Sequence, residues 1–157
     1  MSFSNPVPVA VAIVPYKSKL VGIRRGIEPR KGQIAFPGGY INSGETFQQA
    51  LSRELLEETG ISVPEDSWEV FHIGDSLQSN RILIFGICTK IIADVDLSFK
   101  SEETQQVLLI EPTTSLAFPL HDDAKDKFNS MARSLLHGQS IALKDSGFQA
   151  EIVASCF

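Results

Sequence analysis

Hydrophobic positions along this chain fall into runs, alternations and stripes that predict most of its elements. Val7 to Val14 is apolar apart from Pro8, the pattern of a buried strand with its proline near the start. Tyr16-Lys17-Ser18-Lys19 reads as a turn, and Leu20 to Arg25 as the hairpin partner of that first strand. Trp68 to Ile73 and Ile82 to Ile92 read as an antiparallel pair joined by a turn from Gly74 to Arg81. The second of these is apolar almost throughout, which places it centrally in a sheet. Ala93 to Gln106 is a polar, acidic loop, and Val107 to Ile110 a short strand.

Two helices complete the list. Thr46 and Gln49 have the spacing of a capping box, Ala50, Leu51, Leu55 and Leu56 are good helix formers, and Gly60 stands where a left-handed cap ends the helix. Asp122 to His137 carries Ala124, Phe128, Met131, Ala132 and Leu135 on one stripe and stops at Gly138. That stripe is core packing. Ser140 to Val153 reads as a hairpin around Asp145-Ser146-Gly147. Strands, a helix, more strands and a second helix make an α/β chain with a mixed sheet held between helices.

Bulk properties change this picture little. The 157 residues suit one domain over 1–157, with a core at about 7–137 and an extension at 138–157. A hydrophobic fraction of 43% and a charged fraction of 21% are those of an ordinary globular protein. The net charge of −5 argues against stable nucleic-acid binding, yet a local basic patch is enough to hold a phosphate-bearing small molecule. Cys88 and Cys156 build neither a disulfide framework nor a zinc ribbon. Neither a signal peptide nor a membrane span is expected, so a cytoplasmic location is the default. Assembly as a homodimer is left open.

The chemistry gathers on the first helix. At about 100° per residue, Glu54, Glu57 and Glu58 share an arc of roughly 100°, and Phe47, Ala50 and Leu51 lie on or beside it. A solvated face is the ordinary meaning of helical acids. Three carboxylates beside an apolar stripe, however, invite a compensating cation, and oxygen ligands suit Mg²⁺ or Mn²⁺. Upstream, Arg24, Arg25, Arg30 and Lys31 cluster before Phe36-Pro37-Gly38-Gly39. From that region Arg24, Arg30 and Gly39 are the candidates for contact with substrate phosphates. The glycines let backbone groups approach an ion or a phosphate closely.

What decides between the readings is the whole spacing from Gly39 to Ile61. It runs Gly39, five residues, Glu45, seven residues, Arg53-Glu54-Leu55, one residue, Glu57-Glu58, one residue, Gly60-Ile61. At every fixed position this resembles the signature of the Nudix hydrolases. The resemblance, covering roughly Val7 to His137, implies an α/β/α sandwich around a mixed central sheet, the signature forming a loop–helix–loop. It also implies a divalent-metal-dependent pyrophosphohydrolase in which Gly38 lends a carbonyl and Glu54, Glu57 and Glu58 lend carboxylates to Mg²⁺ or Mn²⁺. Arg53 would pair within the loop–helix–loop, and Glu45 would be a peripheral or additional metal contact.

For the general base the resemblance offers a signature glutamate, here Glu54, or a loop acid, here Glu102 or Glu103. An acid that some relatives carry just before the following strand is matched by Gln105 and Gln106. The substrate class expected from the resemblance is a nucleoside diphosphate linked to another moiety, such as ADP-ribose, a nucleotide sugar or a dinucleotide. A nucleoside triphosphate pyrophosphatase and a non-catalytic nucleotide sensor are the alternatives.

Overall fold

The structure, a computed structural model, describes residues 4–138, with side chains through residue 134. The first apolar run forms β1 (Val7–Ile13), with both edges occupied. Gly38–Tyr40 (β5) lies antiparallel on one edge, and Arg81–Cys88 (β7) lies parallel on the other. Trp68–Ser76 (β6) pairs antiparallel with β7 and completes a mixed sheet of order β5-β1-β7-β6. A second, antiparallel sheet is built on Lys19–Arg25 (β3). It pairs with Pro15–Tyr16 (β2), Ile34–Ala35 (β4) and Thr104–Ile110 (β8).

Strand alternation places one helix on each side of β1. Ala10, Ala12 and Val14 face Ala50, Leu51 and Leu55 of α1 (Phe47–Thr59). Val11 and Ile13 join the cluster containing Ala124 and Phe128 of α2 (Pro119–Gly138). The fold is therefore an α/β arrangement with helices on opposite faces of a mixed sheet. Leu51 and Leu55 are fully buried, each contributing about 2 kcal/mol by the ordinary worth of such side chains. Both halves of the capping box at Thr46 and Gln49 are present, and Gly60 ends α1 at φ 76°. Met131 and Ala132 pack against the second cluster as their spacing predicts.

Four expectations need correction. Leu20 to Arg25 is not the partner of the whole first strand, because β5 and β7 already fill both edges of β1. The hairpin is confined to Pro15↔Leu20 and Tyr16↔Lys19, and the chain passes between the sheets at Val14. Strand β6 runs on to Ser76, so the turn narrows to residues 77–80. The last of the loop is also strand: β8 begins at Thr104, whose hydroxyl donates to the Glu58 carbonyl at 2.9 Å. Helix α2 begins at Pro119 rather than Asp122, since proline's missing N–H costs nothing in a first helical turn. The hairpin expected at 140–153 lies outside the described residues. Among those described, no helix is long and apolar enough to cross a membrane.

Candidate functional site

The site begins with a backbone pairing. Ala12 N–H donates to the Pro37 carbonyl, which makes Val11↔Gly38 the next, non-hydrogen-bonded pair of the β1–β5 ladder. In such a pair both polar backbone groups point away from the partner strand. Gly38 therefore turns its N–H and C=O outward, and the N–H donates to Glu58 Oε2 at 2.7 Å. Next to it, Gly39 stands so close to the Glu54 carboxylate that a β-carbon there would lie 2.6 Å from Cδ. The two glycines and two glutamates thus interlock across the strand–helix gap.

Arg53 organises the other side. Its guanidinium grips Glu45 through two bonds of 2.7 and 2.9 Å, donates to Glu54 Oε1 at 2.8 Å, and reaches the Tyr40 carbonyl at 3.0 Å. Both Glu45 oxygens are taken, since Oε1 also accepts the Asn42 N–H. Those Arg53 bonds, and then the Asn42 N–H, hold the Glu45 carboxyl down at about 2. Glu45 is thus engaged as the anchor of Arg53 and stands outside the carboxylate cluster described next.

Glu54, Glu58 and Glu103 converge, with one oxygen from each lying within 4.8 Å of the others. Glu54 and Glu58 are buried and Glu103 is exposed. Burial pushes the Glu58 carboxyl well above the usual carboxylate range, and the neighbouring Glu54 charge pushes it further. Burial raises Glu54 too, opposed by Arg53. Glu103 is brought here by backbone, because its carbonyl accepts the Gly26 N–H at 2.8 Å and Thr104 is tied to the end of α1.

An oxygen-only set with strained ionisation is the chemistry a hard divalent ion relieves. Glu57 stands apart: its side chain is 55% exposed and touches Arg53 at 3.4 Å.

Beside the carboxylates opens a pocket of about 500 Å³. Its lining includes Gly38, Gly39, Glu54, Glu58 and Glu103 together with Phe36, Phe118 and His121. Arg24 and Arg30 do not line it; Arg24 is spent on the Gly32 carbonyl and Gln106, and Arg30 is exposed with φ 63°. The arginines that do are Arg25, which donates to the Pro29 carbonyl at 2.7 Å and lies 5.2 Å over the Phe118 ring, and Arg81, which donates to the Tyr40 hydroxyl at 2.9 Å. Arg24 and Arg25 are neighbours on β3 and point to opposite faces, but charge alone does not say which face borders the pocket. His121 was likewise hidden, because a lone histidine at a helix start carries no motif.

Substitutions at the two glycines separate fold from chemistry. A β-carbon at Gly38 would run into the Ala10 carbonyl and sit 3.0 Å from Val11 Cα, rigid backbone that cannot yield. Gly38→Ala is expected to cost about 1–3 kcal/mol, read as a lowered Tm. At Gly39 the obstacle is the end of a flexible side chain. Gly39→Ala should fold almost normally and lower kcat by about tenfold or more through displacement of Glu54.

Comparison with known proteins agrees with this fold. A family model described as the NUDIX domain matches residues 6–87. The chain is 37% identical over 59 residues to an ADP-ribose pyrophosphatase of Methanocaldococcus jannaschii, a match covering 38% of this chain but only 35% of that enzyme. An uncharacterized Nudix hydrolase of Schizosaccharomyces pombe is 29% identical over 161 residues, 99% of this chain and 70% of the other. Among solved structures, a MutT/nudix family protein from Enterococcus faecalis superposes with a TM-score of 0.72 at 16% identity, covering 98% of this chain and 69% of that one.

Proposed function

The chain belongs to the Nudix family of hydrolases, which act on phosphoric anhydride bonds, and from that premise we propose that it is a divalent-metal-dependent pyrophosphohydrolase of nucleoside diphosphates linked to a second moiety. One observation carries the proposal: three converging carboxylates line a pocket large enough for a nucleotide. The match to an enzyme named ADP-ribose pyrophosphatase favours ADP-ribose and its chemical kin as substrates.

In this reading Glu54, Glu58 and Glu103, with the outward Gly38 carbonyl, would hold Mg²⁺ or Mn²⁺. When bound, the ion supplies charge neutralisation at the diphosphate and activation of water. The chain's own groups do the rest. Gly38 N–H fixes the Glu58 carboxylate, and Arg53 fixes Glu54 through Oε1. Oε2 of Glu54 is thereby left to accept the proton of the attacking water, with Glu103 as the rival base. Arg25, with only its Nε–H hydrogen-bonded among the described residues, turns its remaining N–H groups to a phosphate oxygen. Arg53, fully engaged, is a positioning residue.

The test is product formation from ADP-ribose, nucleotide sugars, dinucleotides and nucleoside triphosphates, with Mg²⁺ and with EDTA. Diphosphate-linked nucleosides should be cleaved only with the ion. Undiminished turnover after exhaustive chelation would sink the metal mechanism, and an uncleaved panel would sink the hydrolytic reading itself.

A further inference from the structure

His121 is 5% exposed and enclosed by aromatic rings. Phe36 stacks on it at 5.6 Å, Phe85 meets it edge-on at 5.6 Å, and Phe118 tilts against it at 5.0 Å. One of its nitrogens is accounted for: Nδ1 accepts the Phe36 backbone N–H at 3.2 Å. An accepting nitrogen carries no hydrogen, so a neutral ring bears its hydrogen on Nε2. Burial keeps the ring neutral, pushing its pKa down to about 3.

Nε2–H is therefore a permanent donor, and no described residue supplies its acceptor. Yet among the described residues no side-chain nitrogen or oxygen is both sealed from solvent and unpaired. The two facts together mean that Nε2 keeps some exposure, and His121 lines the pocket. A fixed donor framed by aromatic rings suits a flat heterocycle with a ring nitrogen or carbonyl as acceptor. Phosphates would gain little there, because a neutral ring offers them no charge.

Building on the function proposed above, we propose that His121 is the residue that reads the substrate's nucleobase, its Nε2–H donating to an acceptor on the base edge beside Phe36 and Phe118. The diphosphate then extends past Arg25 toward Glu54, Glu58 and Glu103. Specificity of this kind comes from a buried donor that would be stranded when the base is missing.

The probes are AMP and ribose 5-phosphate, which differ only in the base. In wild type, AMP should shift the ¹⁵N resonance of His121 Nε2 saturably, and ribose 5-phosphate should not; His121→Gln assigns the signal among the three histidines. AMP should bind about tenfold more tightly than ribose 5-phosphate, the worth of one buried neutral hydrogen bond. His121→Phe should erase most of that ratio while leaving ribose 5-phosphate affinity unchanged. A resonance that neither ligand moves, or that both move equally, overturns the proposal. So does a His121→Phe protein that weakens both ligands alike. The wild-type titration decides the matter even should His121→Phe fail to fold. A protein that binds AMP through His121 but cleaves nothing would refute the hydrolytic reading alone. Cleavage with a silent His121 would refute this one alone.

Discussion

Replacing Glu58 by glutamine is expected to lower kcat at least about a hundredfold, and replacing Glu57 to cost less than about tenfold. Helical spacing alone ranks the two together, as neighbours on one face of α1. Geometry separates them. Glu58 is buried, converges with Glu54 and Glu103, and takes its orientation from Gly38 N–H. Glutamine preserves that hydrogen bond through its carbonyl oxygen, so the loss reports charge and not collapse. Glu57 is half exposed, and its described partner is Arg53. The check is kcat at saturating Mg²⁺ for both variants on whichever substrate the panel identifies. Equal damage from the two would mean that Glu57 swings inward to join the site, and the three-carboxylate arrangement would be incomplete.

The second large effect needs no substrate. Wild type should gain stability on adding Mg²⁺, by about 2.7 kcal/mol at a hundredfold excess over Kd, and Glu58→Gln should lose most of that gain. Without the ion the comparison reverses. A carboxyl whose folded pKa lies above its unfolded value is stabilising when protonated. That contribution is present below the ordinary value of 4.5 and is lost as pH rises through the higher folded pKa. In EDTA, then, the wild type should weaken relative to Glu58→Gln as pH climbs from about 4.5 toward neutrality. His121 contributes with the opposite sign between about 3 and 6.5, and it cancels in the difference because both proteins carry it. Melting temperatures across pH, at constant ionic strength, measure this. Parallel curves, or equal responses to Mg²⁺, would return Glu58 to the role of an ordinary buried acid.

The sequence was most informative where local chemistry decides structure. Thr46, Gln49 and Gly60 bound α1 through contacts within a few residues of themselves, so their pattern survives into the fold unchanged. Central β7 and the stripe of α2 were legible for the same reason. Sheet partners were not. Nothing within residues 7–25 reveals that β5 and β7, from further along, occupy both edges of β1 and divert β3 to another sheet. The site divides along the same line. Gly38, Glu54 and Glu58 were visible as spacing, and Glu103 as an acid in a loop. Arg25 is set apart from Arg24 by the face of β3 on which it stands, and His121 by rings gathered from three separate parts of the chain. Charge ranks Arg24 and Arg30 with Arg25, because charge does not say which way a side chain points.

The two helices pack in different apolar clusters, on opposite faces of β1. Glu54 and Glu58 come with one helix, while Phe118 and His121 stand at the start of the other. On the reading proposed above, the groups that would react and those that would receive the base thus come with different helices. A change near Phe118 alters the shape of what is admitted and leaves the carboxylates where they were, so such mutations need no compensating change in α1. A lineage built on this plan can pass from one guest molecule to another in small steps, each intermediate still able to break the same kind of bond.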